Sequence, residues 1–176
     1  MRGVAVSGVA VSGGAVSDGA VSDGGERVVV MATEIEWLGA WVEKCMRTVF
    51  DGDEVTIDQD GDVMFRSGTA ACWVSVQESD PTMVIVFAHA ALGVKPTAAL
   101  LREVNDLNQR ALSGTVTIVS GTIMVRQAML ASTVTVESLD QACHQVSRIA
   151  NDIGHLAAVM FDGHTPHAPA PVDHEA

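Results

Sequence analysis

Tyrosine is absent from this 176-residue chain, and lysine occurs only as Lys44 and Lys95. Aromatic residues make up 4% of the sequence, and 10 basic residues stand against 22 acidic ones, which gives a net charge of -12. A surface of this sign repels phosphate backbones and anionic lipid headgroups, so the sequence predicts neither a nucleic-acid nor a membrane partner. The charge favours a basic peptide or protein partner, through an attraction that salt screens.

Cysteine is also scarce, and no apolar run is long. Cys45, Cys72 and Cys143 are scattered without a CxxC spacing, which is typical of reduced, buried thiols in a cytoplasmic protein. No apolar stretch approaches the roughly 20 residues that span a bilayer. Glycine and serine interrupt the first residues every few positions, so we expect no signal peptide there and a cytoplasmic location.

Composition divides the chain into a leader, one domain and a tail. Residues 3–25 repeat a pentamer-like unit (VAVSG, VAVSG, GAVSDG, AVSDG) whose glycines oppose ordering. Residues 1–30 are therefore predicted to be a disordered low-complexity leader. Residues 31–163 have the length and composition of one folded domain. The Pro-rich and His-rich residues 164–176 are predicted to be a disordered tail.

Hydrophobic periodicity predicts an α+β fold with the element order α-β-β-β-β-α-β-β-α. Thr33 and Thr135 are the expected N-caps of the first and last helices. The predicted helices are 33–49, 97–112 and 136–161, and the predicted strands are 54–58, 62–66, 71–77, 83–89, 115–120 and 122–130. These elements form an antiparallel sheet with helices packed on it. The fourth strand is apolar on both faces, so it is central or has its second face covered.

Motifs that carry catalysis or hold metals are missing from the sequence. Counting an EF-hand loop from Asp58 puts Val63 where glycine is required, and the register from Thr56 lacks the bidentate Glu, so we interpret this acidic stretch as a hairpin tip. His164 and His167 have no Cys or carboxylate partner at a useful spacing. There is no GxSxG, GxGxxG or P-loop pattern. We therefore predict no enzyme activity, no catalytic residue, no cofactor and no metal ligand.

One apolar surface is the candidate binding site. If no helix covers the outer face of the sheet, that face carries Trp73, Met83, Ile85, Phe87 and Met124. The sequence leaves open whether a helix covers it. Methionine adapts to varied partners, an exposed apolar patch marks an interaction surface, and a sheet edge accepts a peptide strand. We predict that a peptide or protein binds at these five residues, on the sheet face or at its edge.

The order of the elements and several local patterns resemble the YbjN and type III secretion chaperone-like superfamily. The patterns lie within residues 33–161 and are DQDGD at 58–62, WVSV at 73–76, VFAHAALGV at 86–94, LLREVNDLNQRAL at 100–112 and TIMVRQAML at 122–130. The resemblance implies an α+β domain that binds peptides or proteins without catalysing a reaction. It also implies a small, acidic, cytoplasmic homodimer that holds an extended client segment, with Asn105 and Asn108 supporting the hairpin that follows them.

Three hypotheses about function follow from the sequence. The leading one is a non-enzymatic, chaperone-like domain that binds a peptide or protein client, with acidic loops favouring a basic client. The alternative is a dimeric regulatory or small-ligand-binding module with a pocket between the sheet and the last helix. The third is a hydrolase that uses His89 with a Cys or a carboxylate, which requires a thiol or acid close to the imidazole.

Overall fold

Six strands form one antiparallel sheet, and two long helices pack against one of its faces. The computed structural model describes residues 24–50, 55–111 and 113–168, with side chains from residue 34 onward. The helices are α1 (Gly24–Val49), α2 (Ala98–Arg110) and α3 (Val136–Met160), and the strands are β1 (Thr56–Ile57), β2 (Val63–Ser67), β3 (Ala70–Gln77), β4 (Met83–Ala91), β5 (Thr115–Val119) and β6 (Thr122–Leu130). This order is the predicted one, so the α+β class is confirmed.

The strands lie in the order β1-β2-β3-β4-β6-β5, and each neighbouring pair is antiparallel. The first four strands form the predicted meander, and the β5–β6 hairpin joins it through the pairing of β6 with β4. β4 is therefore central, which explains why its residues are apolar on both faces. Ser120 and Gly121 between β5 and β6 both have a positive φ, 50° and 80°, as the tightest hairpin turns require.

α1 begins earlier than the sequence predicted. Thr33 lies inside this helix and is not its N-cap, and residues 24–30 of the predicted leader are helical. Residues 26–32 contain neither glycine nor proline, so nothing in them interrupts a helix, although the glycines before them suggested disorder. Residues 1–23 of the predicted leader lie outside the described residues. On the side of α1 that faces the core, Leu38, Val42, Cys45 and Met46 are buried.

β1 is shorter than predicted because Asp58 belongs to the turn. The Asp58 carboxylate accepts hydrogen bonds from the amides of Asp60 and Asp62, both at 3.0 Å. A side chain that satisfies turn amides in this way ends the strand and closes the hairpin tip. The prediction of a hairpin tip at these residues is therefore confirmed, while residues 51–54 lie outside the described residues.

α2 holds the β5–β6 hairpin in place. The Thr97 hydroxyl caps α2 by accepting a hydrogen bond from the Leu100 amide at 3.2 Å. Near the other end, Asn108 donates from Nδ2 to the Val116 carbonyl at 2.9 Å and accepts from the Val116 amide at 2.8 Å. The predicted support of the hairpin is confirmed for Asn108, whereas Asn105 is exposed.

α3 closes the core over β3, β4 and β6. Thr135 is its N-cap, as predicted, since its hydroxyl accepts from the Ser138 amide at 3.1 Å and the Ser138 hydroxyl accepts from the Thr135 amide at 2.8 Å. Its buried stripe consists of Leu139, Ala142, Cys143, Val146, Ala150, Ile153 and Ala157. Removing this stripe from water is the main force that holds α3 on the sheet.

Residues 164–168, which the sequence assigns to the tail, contact the folded domain through hydrogen bonds. His164 forms an antiparallel bridge with Leu92, with N···O distances of 2.8 and 3.0 Å. The His167 amide then donates to the Thr69 carbonyl at 3.1 Å. Composition did not indicate these contacts because the backbone partners, Leu92 and Thr69, come from segments far away in the sequence. Residues 169–176 lie outside the described residues.

Candidate functional site

The sheet face turned away from α1 and α3 is here called the open face. Buried residues such as Val74 and Val86 identify the core face, and side chains alternate along each strand. The open face consists of Met64, Arg66, Ala71, Trp73, Ser75, Gln77, Met83, Ile85, Phe87, His89, Thr115, Thr117, Met124, Arg126, Ala128 and Leu130. All five residues predicted to bind a partner lie on it. Neither long helix covers it, which answers the question that the sequence left open.

Strand pairing arranges the open face in rows that run across the strands. The first row is Arg66, Ala71, His89, Met124 and Thr117. The second row is Met64, Trp73, Phe87, Arg126 and Thr115. The third row is Ser75, Ile85 and Ala128, and the fourth is Gln77, Met83 and Leu130. Adjacent strands are about 4.8 Å apart, so neighbouring side chains in a row contact one another.

An aromatic cluster of Trp73, Phe87 and His89 occupies the centre of the open face. Trp73 stacks on Phe87 with 5.3 Å between ring centroids and 10° between planes. The His89 ring lies 4.7 Å from Trp73 and 6.4 Å from Phe87. All three side chains remain partly exposed. Rings that already brace one another lose little conformational entropy when a partner covers them, which suits them to binding.

The environment of His89 is apolar. Burial lowers the pKa of His89, so the neutral imidazole is favoured and adds to the apolar surface of the cluster. Cys72 and Cys143 lie in the core on the other side of the sheet, where burial raises the pKa of Cys72 to about 11 and raises that of Cys143 as well. Such thiols stay protonated at neutral pH. Among the described residues, the rings beside His89 are those of Trp73 and Phe87, and desolvation is the cause of its lowered pKa, whereas the hydrolase hypothesis requires a thiol or an acid beside the imidazole.

The two ends of the open face differ in charge. Arg66 in the first row and Arg126 in the second are both exposed. Asp62, at the opposite end, follows the β1–β2 tip. Burial raises the pKa of the Asp62 carboxyl, and the negative charges of Asp58 and Asp60 raise this pKa further. A hydrogen bond with Ser75 lowers the same pKa and so opposes the increase. A cationic group placed at this end therefore relieves repulsion between carboxylates.

Metal-binding clusters and membrane-spanning helices are both absent from the residues that the structure describes. Across residues 24–50, 55–111 and 113–168, no three His, Cys, Asp or Glu side chains converge on a point where a metal ion could bind. Within the same ranges, no helix has both the length and the hydropathy to cross a bilayer.

A second apolar surface lies where α1 meets the end of the sheet, and sequence reasoning missed it. Trp37 and Trp41 are four residues apart on α1, and their rings stack with 6.3 Å between centroids. Trp37 is 65% exposed. It lines a cleft of about 300 Å³ together with Glu34, Ile35, Leu38, Pro81, Thr82, Leu130, Ala131 and Ser132. One wall of the cleft comes from α1, and the other comes from the residues before β4 and those at and after the end of β6. These segments are far apart in the chain, so no local sequence pattern predicts that they meet.

The interface between α3 and the sheet, where the alternative hypothesis puts a ligand pocket, is closely packed. A Cβ added at Gly154 would overlap the carbonyl oxygen of Ala90. Two turns earlier on the same side, the Ser147 hydroxyl lies 3.8 Å from the Cys72 sulfur. These positions have no space for a small molecule.

Most of the chain matches the model of a known protein family. The family model TY-Chap1, described as type III secretion system (YopN, CesT) and YbjN peptide-binding chaperone 1, matches residues 36–169, well over half of the sequence. The chain belongs to this family. The resemblance inferred from the order of the elements is thereby confirmed. No curated protein matches this TY-Chap1 chain.

Solved structures share the fold of this TY-Chap1 chain at low identity. A chain from the crystal structure of the ExsC–ExsE complex is 12% identical, with a TM-score of 0.54, and the match covers 68% of this chain and 95% of that one. A chain from the HopA1–SchA chaperone–effector complex is also 12% identical, with a TM-score of 0.53 and coverage of 70% and 97%. Both support the α+β architecture with helices on an antiparallel sheet.

Proposed function

We propose that this TY-Chap1 chain is a non-enzymatic peptide-binding chaperone that holds an extended client segment across its open face. The observation that carries the proposal is the aromatic cluster of Trp73, Phe87 and His89, which is partly exposed at the centre of that face. Apolar client side chains bury against the stacked rings, and Met64, Met83 and Met124 adapt to their shapes.

The face is a better binding surface than either sheet edge. β5 is one edge strand, and Asn108 already occupies the amide and carbonyl of Val116 on its outer side. β1 is the other edge, and its two residues, Thr56 and Ile57, give a peptide strand little backbone to pair with. A client would therefore find few backbone groups along β1, and on β5 those of Val116 are already occupied.

The client, the assembly and the location are further parts of the proposal. The acidic end of the open face and the net charge of -12 favour a client with basic residues beside its apolar segment. A homodimer and a cytoplasmic location fit the family and the buried, free cysteines. The mass of the purified chain, measured by analytical ultracentrifugation, tests the dimer directly.

The binding face is tested by selecting peptides from a random displayed library on the purified chain. We expect the selected peptides to lose about tenfold or more in affinity for the Trp73→Ala and Phe87→Ala variants, because buried aromatic anchors dominate binding energies. Fluorescence anisotropy of a labelled peptide gives the dissociation constants, and circular dichroism checks that each variant is folded.

Trp37→Ala is the matched control, since Trp37 is also exposed but lies on α1 in the other layer. This variant should bind the selected peptides as the wild type does. Equal affinity for all three variants would exclude the open face as the site, and a library that yields no binding peptide would argue against a peptide-binding function.

A further inference from the structure

The described part of the chain ends at Ala168, beside the side chain of Arg66 at the end of the sheet. After α3 it bridges to Leu92 and then pairs His167 with Thr69 in the β2–β3 turn, where the amide donates at 3.1 Å. Nη2 of Arg66 donates to the Ala168 carbonyl at 2.8 Å. Since Arg66 is an open-face residue, these contacts lead the chain around the end of the sheet from the helix layer towards the open face.

The first row provides a path from Arg66 to the aromatic cluster. β1 pairs only with Val63 and Met64, so β2 is the outermost strand at the level of Arg66. Ala71 lies between Arg66 and His89 in this row. Its side chain is only a methyl group, so it leaves room for a peptide segment to cross the sheet at this row. His89 is two strands away, a distance of about 10 Å.

Residues 169–176, PAPVDHEA, have a composition that suits this path. Pro169 and Pro171 favour the polyproline II conformation, and Pro-rich segments in that conformation dock on aromatic-lined grooves. Three residues of this helix extend about 9 Å. Pro171 can therefore reach the rings of Trp73 and His89 from the point where Ala168 is held.

The charges of the same segment match the far side of the cluster. Asp173 and Glu175 follow Pro171, and two to four further residues extend roughly 6–12 Å. Arg126 lies one strand beyond Phe87, directly opposite it in the second row, and is exposed. In a chain with 10 basic and 22 acidic residues, an acidic segment is attracted to few surface positions, and Arg126 is one of them.

We infer that residues 169–176 dock on the open face as an internal ligand, with the prolines on the aromatic cluster and the two acidic side chains at Arg126. The segment then competes with any client that uses the same rings. This regulatory consequence rests on the proposed function, whereas the docking itself does not.

Paramagnetic relaxation enhancement tests the docking without a client. The three native cysteines are buried, so a nitroxide reagent attaches selectively to a cysteine introduced by His174→Cys, which keeps both acidic neighbours. The indole N–H signal of Trp73 is assigned by its loss in Trp73→Phe. We expect the nitroxide to broaden this signal strongly and the signal of exposed Trp37 on α1 very little, and we expect Arg126→Glu to reduce the broadening.

Three results would overturn the docking. In the first, the nitroxide leaves the intensity of the Trp73 signal unchanged. In the second, the Trp37 and Trp73 signals broaden equally, which would mean that the segment has no preferred site. The third uses a mixture in which one chain carries the nitroxide and a separate chain carries the isotope label. If the Trp73 signal of the isotope-labelled chain broadens as strongly there as it does within one chain, the contact is with a second copy.

A peptide selected on the open face then tests the competition. Removing residues 169–176 should tighten its binding about tenfold if the segment covers the face about nine-tenths of the time. Unchanged affinity despite Trp73 broadening would refute the competition. If the Trp73 signal broadens but the chain captures no peptide, the proposed function alone is refuted. If the chain captures peptide but the Trp73 signal does not broaden, the docking of residues 169–176 alone is refuted.

Discussion

At the scale of single residues, Gly154 explains how α3 approaches the sheet. In the sequence, this glycine interrupts an apolar stripe and costs roughly 1 kcal/mol of helix propensity. In the structure, it faces Ala90 of β4 so closely that a methyl group has no room beside the Ala90 carbonyl. The propensity cost is therefore offset by close packing of the helix on the central strand.

Gly154→Ala should lower the free energy of unfolding by up to about 2 kcal/mol, because overpacking costs about 1–3 kcal/mol and alanine regains roughly 1 kcal/mol of propensity. Gly39→Ala on α1 is the matched control. A Cβ at Gly39 meets nothing within 4 Å, so that variant should be more stable by up to about 1 kcal/mol. Urea unfolding measures both, and a Gly154→Ala chain as stable as Gly39→Ala would show that the contact is not tight.

Asn151 is a second residue whose role only the folded chain reveals. Its Oδ1 accepts from the amide and hydroxyl of Thr69 at 2.9 and 3.0 Å, and its Nδ2 donates to the Ser67 and Ser147 carbonyls at 3.1 and 2.9 Å. One amide therefore joins α3 to the β2–β3 turn, beside the point where the chain rounds the sheet. In the sequence, Asn151 is an ordinary polar position on an amphipathic helix.

At the scale of elements, the edge strand β5 depends on a side chain from α2. The Asn108 carboxamide pairs with both backbone groups of Val116, as a neighbouring strand would do. This contact protects part of an edge that would otherwise offer unpaired groups to another chain. The family resemblance implied that Asn105 and Asn108 support the hairpin, but the sequence did not identify Val116 as the partner.

Asn108→Ala should leave the Val116 amide without an acceptor and lower the free energy of opening β5 by about 1–3 kcal/mol. Hydrogen exchange of that amide should accelerate about tenfold to a hundredfold, while exchange in the central strand β4 stays slow. Asn105→Ala, at an exposed position on the same helix, serves as the control. Equal protection of Val116 in both variants would mean that Asn108 does not brace the hairpin.

Element boundaries were predictable where the periodic pattern was long. The six strands and three helices were found because apolar residues repeat at period two or near 3.6 over several positions. The start of α1 was wrong at Thr33, since low-complexity composition outweighed seven helix-compatible residues. The end of β1 was wrong because the Asp58 side chain competes for the turn amides.

At the scale of the whole molecule, charge and apolar surface are separated. The net charge is -12, yet the open face carries the aromatic cluster and two exposed arginines. The acidic residues near this face are gathered at one end, in the β1–β2 tip and the β3–β4 connection, and are Asp58, Asp60, Asp62, Glu78 and Asp80. A client with an apolar segment and a basic flank fits this separation.

Salt should therefore weaken capture of a client peptide that carries basic flanks. Raising the ionic strength from 0.1 M to 1 M shortens the Debye length from about 10 Å to about 3 Å, so we expect the affinity to fall about threefold to tenfold. The matched control is the same peptide with each Lys or Arg replaced by Gln, whose binding should change little. If both peptides respond alike, the acidic end of the open face does not select the client.

The sequence by itself determined the type and order of the elements, the α+β class and the alternation that puts Trp73, Met83, Ile85, Phe87 and Met124 on one side of the sheet. These features depend on residues a few positions apart, and the spacing of apolar residues along the sequence reveals them. The tertiary structure decided that neither long helix covers this face, that Trp73 and Phe87 stack, and that the segment after α3 rounds the sheet to Arg66. Each of these depends on contacts between residues distant in the chain, and no local pattern specifies which distant segments will meet.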